Sequence, residues 1–351
     1  MIKYLRLLLL PFSLLYGLII LIRNKLYDAG VLKSVRFELP VICVGNLVVG
    51  GSGKSPVTEY LVSLFPDKRI AILSRGYGRK TKGFILADES STAGTIGDEP
   101  LQFYNKFPDV TVAVCEDRVT GINQLKGHHD LIILDDAFQH RKVQAGFSIL
   151  LFEYQKLLSP RFLLPAGNLR ESFSGCKRAQ ALLVTKAPAD ISAEQRLACK
   201  RKFANDEGQM LSFSFLNYQD LVPLFTKSDP LAVTPDTSVF LLTGIANPKP
   251  LLSYLREFTA SIHHHDYPDH YQFSHQNIRK LIKDYQEDLS VKKIILTTEK
   301  DAQRLLDDAL KELLLNLPVY YLPIRVEIQA EDKATFDQKI LDYVSSTTRN
   351  R

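Results

Sequence analysis

Residues 41–56, VICVGNLVVGGSGKSP, run from an apolar stretch through a glycine-rich turn into a helix-compatible stretch, and few folds accept that order. Lys54 and Ser55 directly behind Gly53 give the turn the G-x-x-x-x-G-K-[ST] form of a phosphate-binding loop, except that its leading glycine is replaced by Val48. Such a loop, here Gly50, Gly51, Ser52 and Gly53, turns backbone N–H groups toward phosphate oxygens, and the following helix N-terminus adds partial positive charge. Lys54 is then expected on the β- and γ-phosphates of a nucleotide, with the Ser55 hydroxyl on Mg²⁺. Taken alone, the loop also reads as an ordinary strand-to-helix turn.

A second motif decides between these readings. DLIILDD, residues 130–136, ends an apolar run with Asp135 and Asp136, where carboxylates at a strand tip can hold Mg²⁺ directly or through water. Loop and strand tip in this order point to an NTP–Mg²⁺ site. The surrounding runs LPVICVGNL, RIAILSRGYG, VTVAVCEDR, FSILLFE and AQALLVTKAP are continuous in Val, Ile and Leu, as suits parallel strands buried on both faces. Their alternation with helical stretches gives a doubly wound, mainly parallel α/β sheet of the P-loop NTPase kind. A second α/β set begins after MLSFSF and includes SVFLLTGIANP, a helix from His275 to Gln286, and KKIILTTEKDAQRLL. The expected division is an N-terminal helix over 1–36, a P-loop domain over 37–215, and a smaller α/β domain over 216–345. SSTTRNR, at the end, reads as frayed.

The net charge of +5 is local: Lys3, Arg6, Arg23, Lys25, Lys33 and Arg36, against Asp28 alone, account for it, and residues 37–351 balance. A nucleic-acid-binding face is therefore not expected. The bases bracket LLLLPFSLLYGLIILI, residues 7–22, which as a helix would extend roughly 24 Å, short of a hydrocarbon core of about 30 Å. A buried core helix competes with a helix embedded in the cytosolic leaflet whose Lys and Arg meet anionic headgroups; the second is expected. Cys43, Cys115, Cys176 and Cys199 show no metal or disulfide spacing, which fits a reducing, cytosolic compartment.

GNLVVGGSGKSP, SRGYGRK, GDEP, LDDAFQH, PAGNLRES, LTGIANP, YPDHYQF and TTEKDA follow one another across residues 45–302. This set closely resembles the tetraacyldisaccharide 4'-kinase (LpxK) family, whose loop has the form GN-x-x-VGG-[ST]-GK-[ST]-P, so Val48 is a family variant. The resemblance implies transfer of the ATP γ-phosphate to the 4'-hydroxyl of a lipid A disaccharide 1-phosphate, giving lipid IVA, at the cytoplasmic face of the bacterial inner membrane. It also implies that Asp98 assists the attacking hydroxyl with His270 as its partner, and that Asp135, Asp136 and Glu171 serve the metal and phosphate site. Arg118 and Arg170 are implied near phosphates or substrate, and Tyr77 near the nucleotide.

Without the resemblance Asp98 reads as a helix start and His270 as a loop histidine. His263, His264 and His265 are not expected to share a metal, because neighbours on a strand face alternate sides. Lys300 and Asp301 are left between nucleotide contact and domain-junction support. The competing functions are a membrane-recruited ATPase switch, against which Val49 stands where such loops carry lysine, and a cytosolic small-molecule kinase, which leaves the apolar N-terminus unexplained.

Overall fold

The computed structural model describes residues 6–159, 161–203, 208–225 and 232–349. The apolar runs form the expected strands: β1 (Val41–Asn46), β2 (Ile70–Ser74), β3 (Ile85–Leu86), β4 (Thr111–Val114), β5 (Leu131–Asp135), β6 (Phe147–Glu153), β7 (Ala181–Thr185) and β8 (Met210–Tyr218). Together with β14 (Ile324–Ile328) they make a nine-stranded sheet among the described residues, ordered β14-β8-β7-β6-β1-β5-β2-β4-β3. Pairing is parallel from β8 to β4, and only the edges β14 and β3 run antiparallel. Every residue of β1, β5, β6 and β7 is buried, which requires apolar side chains on both faces and explains the unbroken runs.

The second sheet, ordered β11-β10-β12-β13-β9, holds β9 (Val222–Pro223), β10 (Thr237–Thr243), β11 (Ile262–Asp266), β12 (Lys292–Thr298) and β13 (Val319–Leu322). The chain then returns to the first sheet, which the expected division at residue 215 does not anticipate. Ile324–Ile328 pairs with β8, and Phe336, Ile340 and Val344 of the following helix pack with Val326 and Ile328 beneath that sheet. The two crossing segments touch, Gln219 N–H donating to the Pro323 carbonyl at 3.0 Å. The last helix also runs to Arg349, so Ser345–Arg349 is helical where fraying was expected.

Seven helices position the surfaces discussed below: α1 (Leu10–Asp28), α2 (Lys54–Leu64), α3 (Asp98–Lys106), α4 (Arg118–Leu125), α5 (His275–Glu287), α6 (Glu299–Leu305) and α7 (Ala330–Arg349). Two of them, α3 from the first sheet and α6 from the second, pack against each other and carry the junction. Lys106 on α3 reaches Glu299 on α6 at 2.7 Å, and Asn105 donates to Gln303 at 2.7 Å.

Helix α1 is turned inside out relative to a core helix. Its polar side docks on the protein: the Ser13 hydroxyl donates to the Leu163 carbonyl (3.1 Å), Tyr16 to Arg170 O (2.7 Å), and Asn24 to Glu171 (3.1 Å). Leu8, Phe12, Leu14, Leu15, Leu18, Ile19 and Ile22 point outward, Leu14 with 73% of its surface exposed. The buried-helix alternative is thereby set aside. One detail of the expectation changes: Arg6 and Arg23 do not face outward. Their guanidiniums donate to the carbonyls of Pro165, Gly167 and Gln139, so Lys25, Lys33 and Arg36 are the exposed bases at the helix's far end.

Candidate active site

Strand β1 ends beside β5 and β6, where the strand order turns, and the glycine loop leaves from this point. A crevice at the carboxyl ends of strands, where the order reverses, is where open α/β sheets bind ligands. Gly53 caps α2 at φ 81°, a left-handed conformation that a side chain would strain, and this lets the next residue, Lys54, begin the helix. The loop is braced from within. Asn46 Nδ2 donates to the Ser52 hydroxyl, and the Thr185 hydroxyl to the Ser52 carbonyl at 2.8 Å. Lys186 Nζ donates to the Gly51 carbonyl at 2.7 Å. The Ser52 side chain is thus spent on the loop itself, leaving its backbone N–H as the group that can meet phosphate.

The two aspartates at the end of β5 have different surroundings. Asp136, at φ 47°, meets Lys54 Nζ at 3.6 Å and the Arg170 guanidinium at 2.9 Å. Burial raises its pKa, but Lys54 and Arg170 outweigh that and hold it below the ordinary carboxylate value. Asp135 is fully enclosed; burial, with the nearby Glu99 charge, pushes it up to about 7. Its Oδ2 accepts from Ser74 at 3.4 Å, while Oδ1 is buried without a partner. Arg118, the first residue of α4, is also buried, with its Nε unpartnered and its pKa lowered by burial and by Arg75. Asn46 Oδ1 is orphaned too. Orphaned buried polar atoms cost about 1–3 kcal/mol each, so several around one crevice imply a polar ligand that completes them.

The second half of the site forms where α3 meets α6. Asp98 and Glu99 lie in the first turn of α3, where the helix dipole favours anions, so the expected helix start and the functional position coincide. Asp98 is buried, and three donors converge on its Oδ2: His270 Nδ1 at 3.1 Å, Arg304 Nε at 2.9 Å and Arg304 Nη2 at 2.6 Å. Burial raises the Asp98 pKa, yet the His270 and Arg304 bonds prevail and keep it below the ordinary value. No described side chain donates to Oδ1. His270 itself sits at φ 59°, held there by a bond from its N–H to the Gly244 carbonyl at 3.1 Å. Space at Gly244 is tight: a Cβ there would stand 3.0 Å from Arg304 Nη1 and 3.2 Å from Asp301 Oδ1, so both would have to give way.

Several expected residues take unexpected company. Glu171 was expected beside the metal, but both of its oxygens are engaged: Oε2 by Arg178 (2.9 Å) and Asn24 (3.1 Å), Oε1 by Arg178 (3.1 Å) and Gln139 (3.1 Å). In this structure it ties α1 to the crevice. Gln139 also faces Arg170 at 3.3 Å, so it links this anchor to the Asp136 pair. Tyr77 stacks obliquely on the His270 ring, centroids 5.1 Å apart. His263, His264 and His265 turn to Asp288 (3.6 Å), Thr243 (2.8 Å) and Asp284 (3.3 Å) respectively, without converging. Arg304 was missed altogether. The available signal was spacing: Lys300 and Arg304 are four apart behind an apolar strand, which puts both on one face of a short helix.

The chain is similar to known proteins along nearly its whole length. The family model for LpxK, tetraacyldisaccharide-1-P 4'-kinase, matches residues 5–345. A tetraacyldisaccharide 4'-kinase of Flavobacterium johnsoniae is 46% identical, covering 97% of this chain and 97% of that one. Another, of Bacteroides thetaiotaomicron, is 43% identical over 97% of this chain and 93% of its own length. Among solved structures, the "apo" form of LpxK from Aquifex aeolicus in complex with ATP superimposes with a TM-score of 0.74 at 32% identity, covering 97% of this chain and 99% of that one.

Proposed function

Because the chain belongs to the tetraacyldisaccharide-1-P 4'-kinase family, and is an ATP-dependent kinase of lipid A biosynthesis, we propose that its two half-sites divide the reaction between them. The glycine loop, Lys54, Arg118 and Arg170 bind the ATP phosphates and neutralise charge on the transferring group. Asp98 acts as the base toward the sugar. Its Oδ1 accepts the proton of the 4'-hydroxyl as that oxygen bonds to the γ-phosphorus. The bond from phosphorus to the β–γ bridging oxygen breaks, and its electron pair leaves with ADP. The observation that carries this reading is the convergence of His270 and Arg304 on Oδ2 alone, which fixes and ionises Asp98 while its other oxygen stays available.

Mg²⁺ fits the crevice: the orphaned Asp135 Oδ1 and the Ser55 hydroxyl would hold it, beside Asp136, whose oxygens are paired with Arg170 and Lys54, and there it would screen the β- and γ-phosphates. Glu171 is left out of that set, since its oxygens are committed to Arg178, Gln139 and Asn24. The outward apolar side of α1, with exposed Lys25, Lys33 and Arg36 beyond it, supports residence on the cytoplasmic face of the inner membrane, where the lipid disaccharide acceptor is within reach. A cytosolic small-molecule kinase has no use for that surface.

The test is label transfer from γ-labelled ATP to the lipid acceptor in anionic vesicles, with water as the competing acceptor. Label is expected in the lipid, only with Mg²⁺, and nearly none with Asp98→Asn. Label released chiefly to water, or an Asp98→Asn enzyme working at the wild-type rate, would overturn the division of roles.

A further inference from the structure

The base corner contains a further charged group that the phosphoryl transfer does not use. Lys300, on α6, directs its Nζ to His270 Nε2 at 3.1 Å, on the opposite edge of the ring from the Asp98 contact. Two carboxylates flank the lysine, Glu99 at 3.4 Å and Asp269 at 3.9 Å. An ammonium has three donors and no acceptor, so the ring nitrogen facing it must accept. A proton on Nε2 would set two donors against each other. With Nε2 bare, the ring's single proton lies on Nδ1, where it donates to Asp98 Oδ2.

We propose that Lys300 is a positioning residue that keeps His270 a neutral imidazole with its proton on Nδ1. This rests on the reading of Asp98 as the base. The chemistry gives the arrangement a purpose. A neutral N–H orients Asp98 and leaves it basic, whereas an imidazolium would bind its carboxylate as a full cation and make it a poorer proton acceptor. The groups facing His270 are few. Asp98 meets Nδ1, Lys300 meets Nε2, the Tyr77 ring lies obliquely on the imidazole, and the Asp269 carboxylate stands 3.9 Å from Nε2. Without the lysine, Asp269 is the next charge at Nε2, and it favours a proton there. Lys300 therefore decides the protonation state that Asp269 alone would reverse. It comes from the second sheet, as His270 does, whereas Asp98 comes from the first, so the state is set only where the two sheets meet.

The experiment is nitrogen NMR of the full-length enzyme labelled at histidine, with His270 assigned by its loss in His270→Ala, alongside steady-state kinetics. At pH 7 the wild-type His270 Nε2 is expected to resonate as an unprotonated, hydrogen-bond-accepting nitrogen, and Lys300→Arg to preserve that signal. Lys300→Met is expected to move it to the position of a protonated nitrogen and to lower kcat about 10-fold or more, with KM for ATP unchanged. A protonated Nε2 in the wild type overturns the proposal and needs no variant to fold. So does a Lys300→Met enzyme whose resonance stays in place. A resonance that moves while kcat holds would leave the lysine's effect on the ring standing and overturn the assignment of Asp98 as the base.

Discussion

The proposed phosphate cradle and the proposed base corner are assembled in opposite ways. Lys54, Asp135 and Asp136 come from adjacent parallel strands of one sheet, delivered by short strand-end connections. Asp98, His270 and Arg304 come from two sheets and meet only because α3 packs on α6. The cradle is electrostatically incomplete, with buried atoms of Asn46, Arg118 and Asp135 lacking partners. The corner is the reverse, with Asp98 Oδ2 receiving three donors. A crevice built to receive a charged ligand keeps polar groups in reserve, whereas a base must be held and ionised before the substrate arrives.

The comparison can be broken at its strongest point first. Lys54→Ala should abolish label transfer while leaving the thermal transition near that of the wild type, because it removes phosphate charge and little packing. A folded variant with near-normal turnover would remove the cradle from the account. In the corner, Arg304→Met should destabilise the protein by about 3–5 kcal/mol in denaturant titration, the usual loss when one partner of a buried ion pair is removed. Adding Asp98→Asn should recover part of that loss. If Arg304→Met unfolds like the wild type, the corner is not the prepaired unit described.

A smaller effect concerns the outward face of α1, which we propose rests on the membrane. Leu14→Glu with Leu18→Glu alters only outward side chains of α1. Sedimentation with anionic vesicles should fall several-fold and ATP binding should stay unchanged. Unaltered sedimentation would detach α1 from the membrane. The smallest effect is the pH dependence of stability. Asp98 has a lower pKa folded than unfolded, so its stabilising share is present above the unfolded carboxylate value of about 3.9 and is lost as pH falls through the lower folded value. Thermal melts of Asp98→Asn should therefore fall less steeply below pH 4 than those of the wild type. Parallel acid limbs would mean that Asp98 is not held ionised.

The difference between the halves is also why one was easier to read in the sequence. The cradle is a local pattern, strand, glycine turn, Lys-Ser, then a strand tip with two acids, and each part has its own physical signature. Asp98 and His270 are 172 positions apart, and neither has a local reason to meet the other. Their pairing was accessible only through resemblance to a family. Arg304 escaped because its near partner, Asp301 three positions before it at 2.6 Å, reads as an ordinary pair within one helix, while Asp98 and the Gly244 carbonyl lie 206 and 60 positions away. Glu171 takes its expected role from the family resemblance alone, and its contacts with Arg178, Gln139 and Asn24 follow from packing that the sequence does not record. The return of Ile324–Ile328 to the first sheet was likewise hidden, since an apolar strand carries no record of which sheet it joins.

The claim that the corner works as one unit across two sheets is tested most directly by a double-mutant cycle on kcat. Asp98→Asn and His270→Ala should each lower it by roughly 10²–10⁴-fold, the range associated with a positioned proton acceptor. If they act together, the double variant should lose far less than the product of the two single losses, with KM for ATP little changed in all three. Losses that multiply in full would assign Asp98 and His270 to separate tasks and contradict the account.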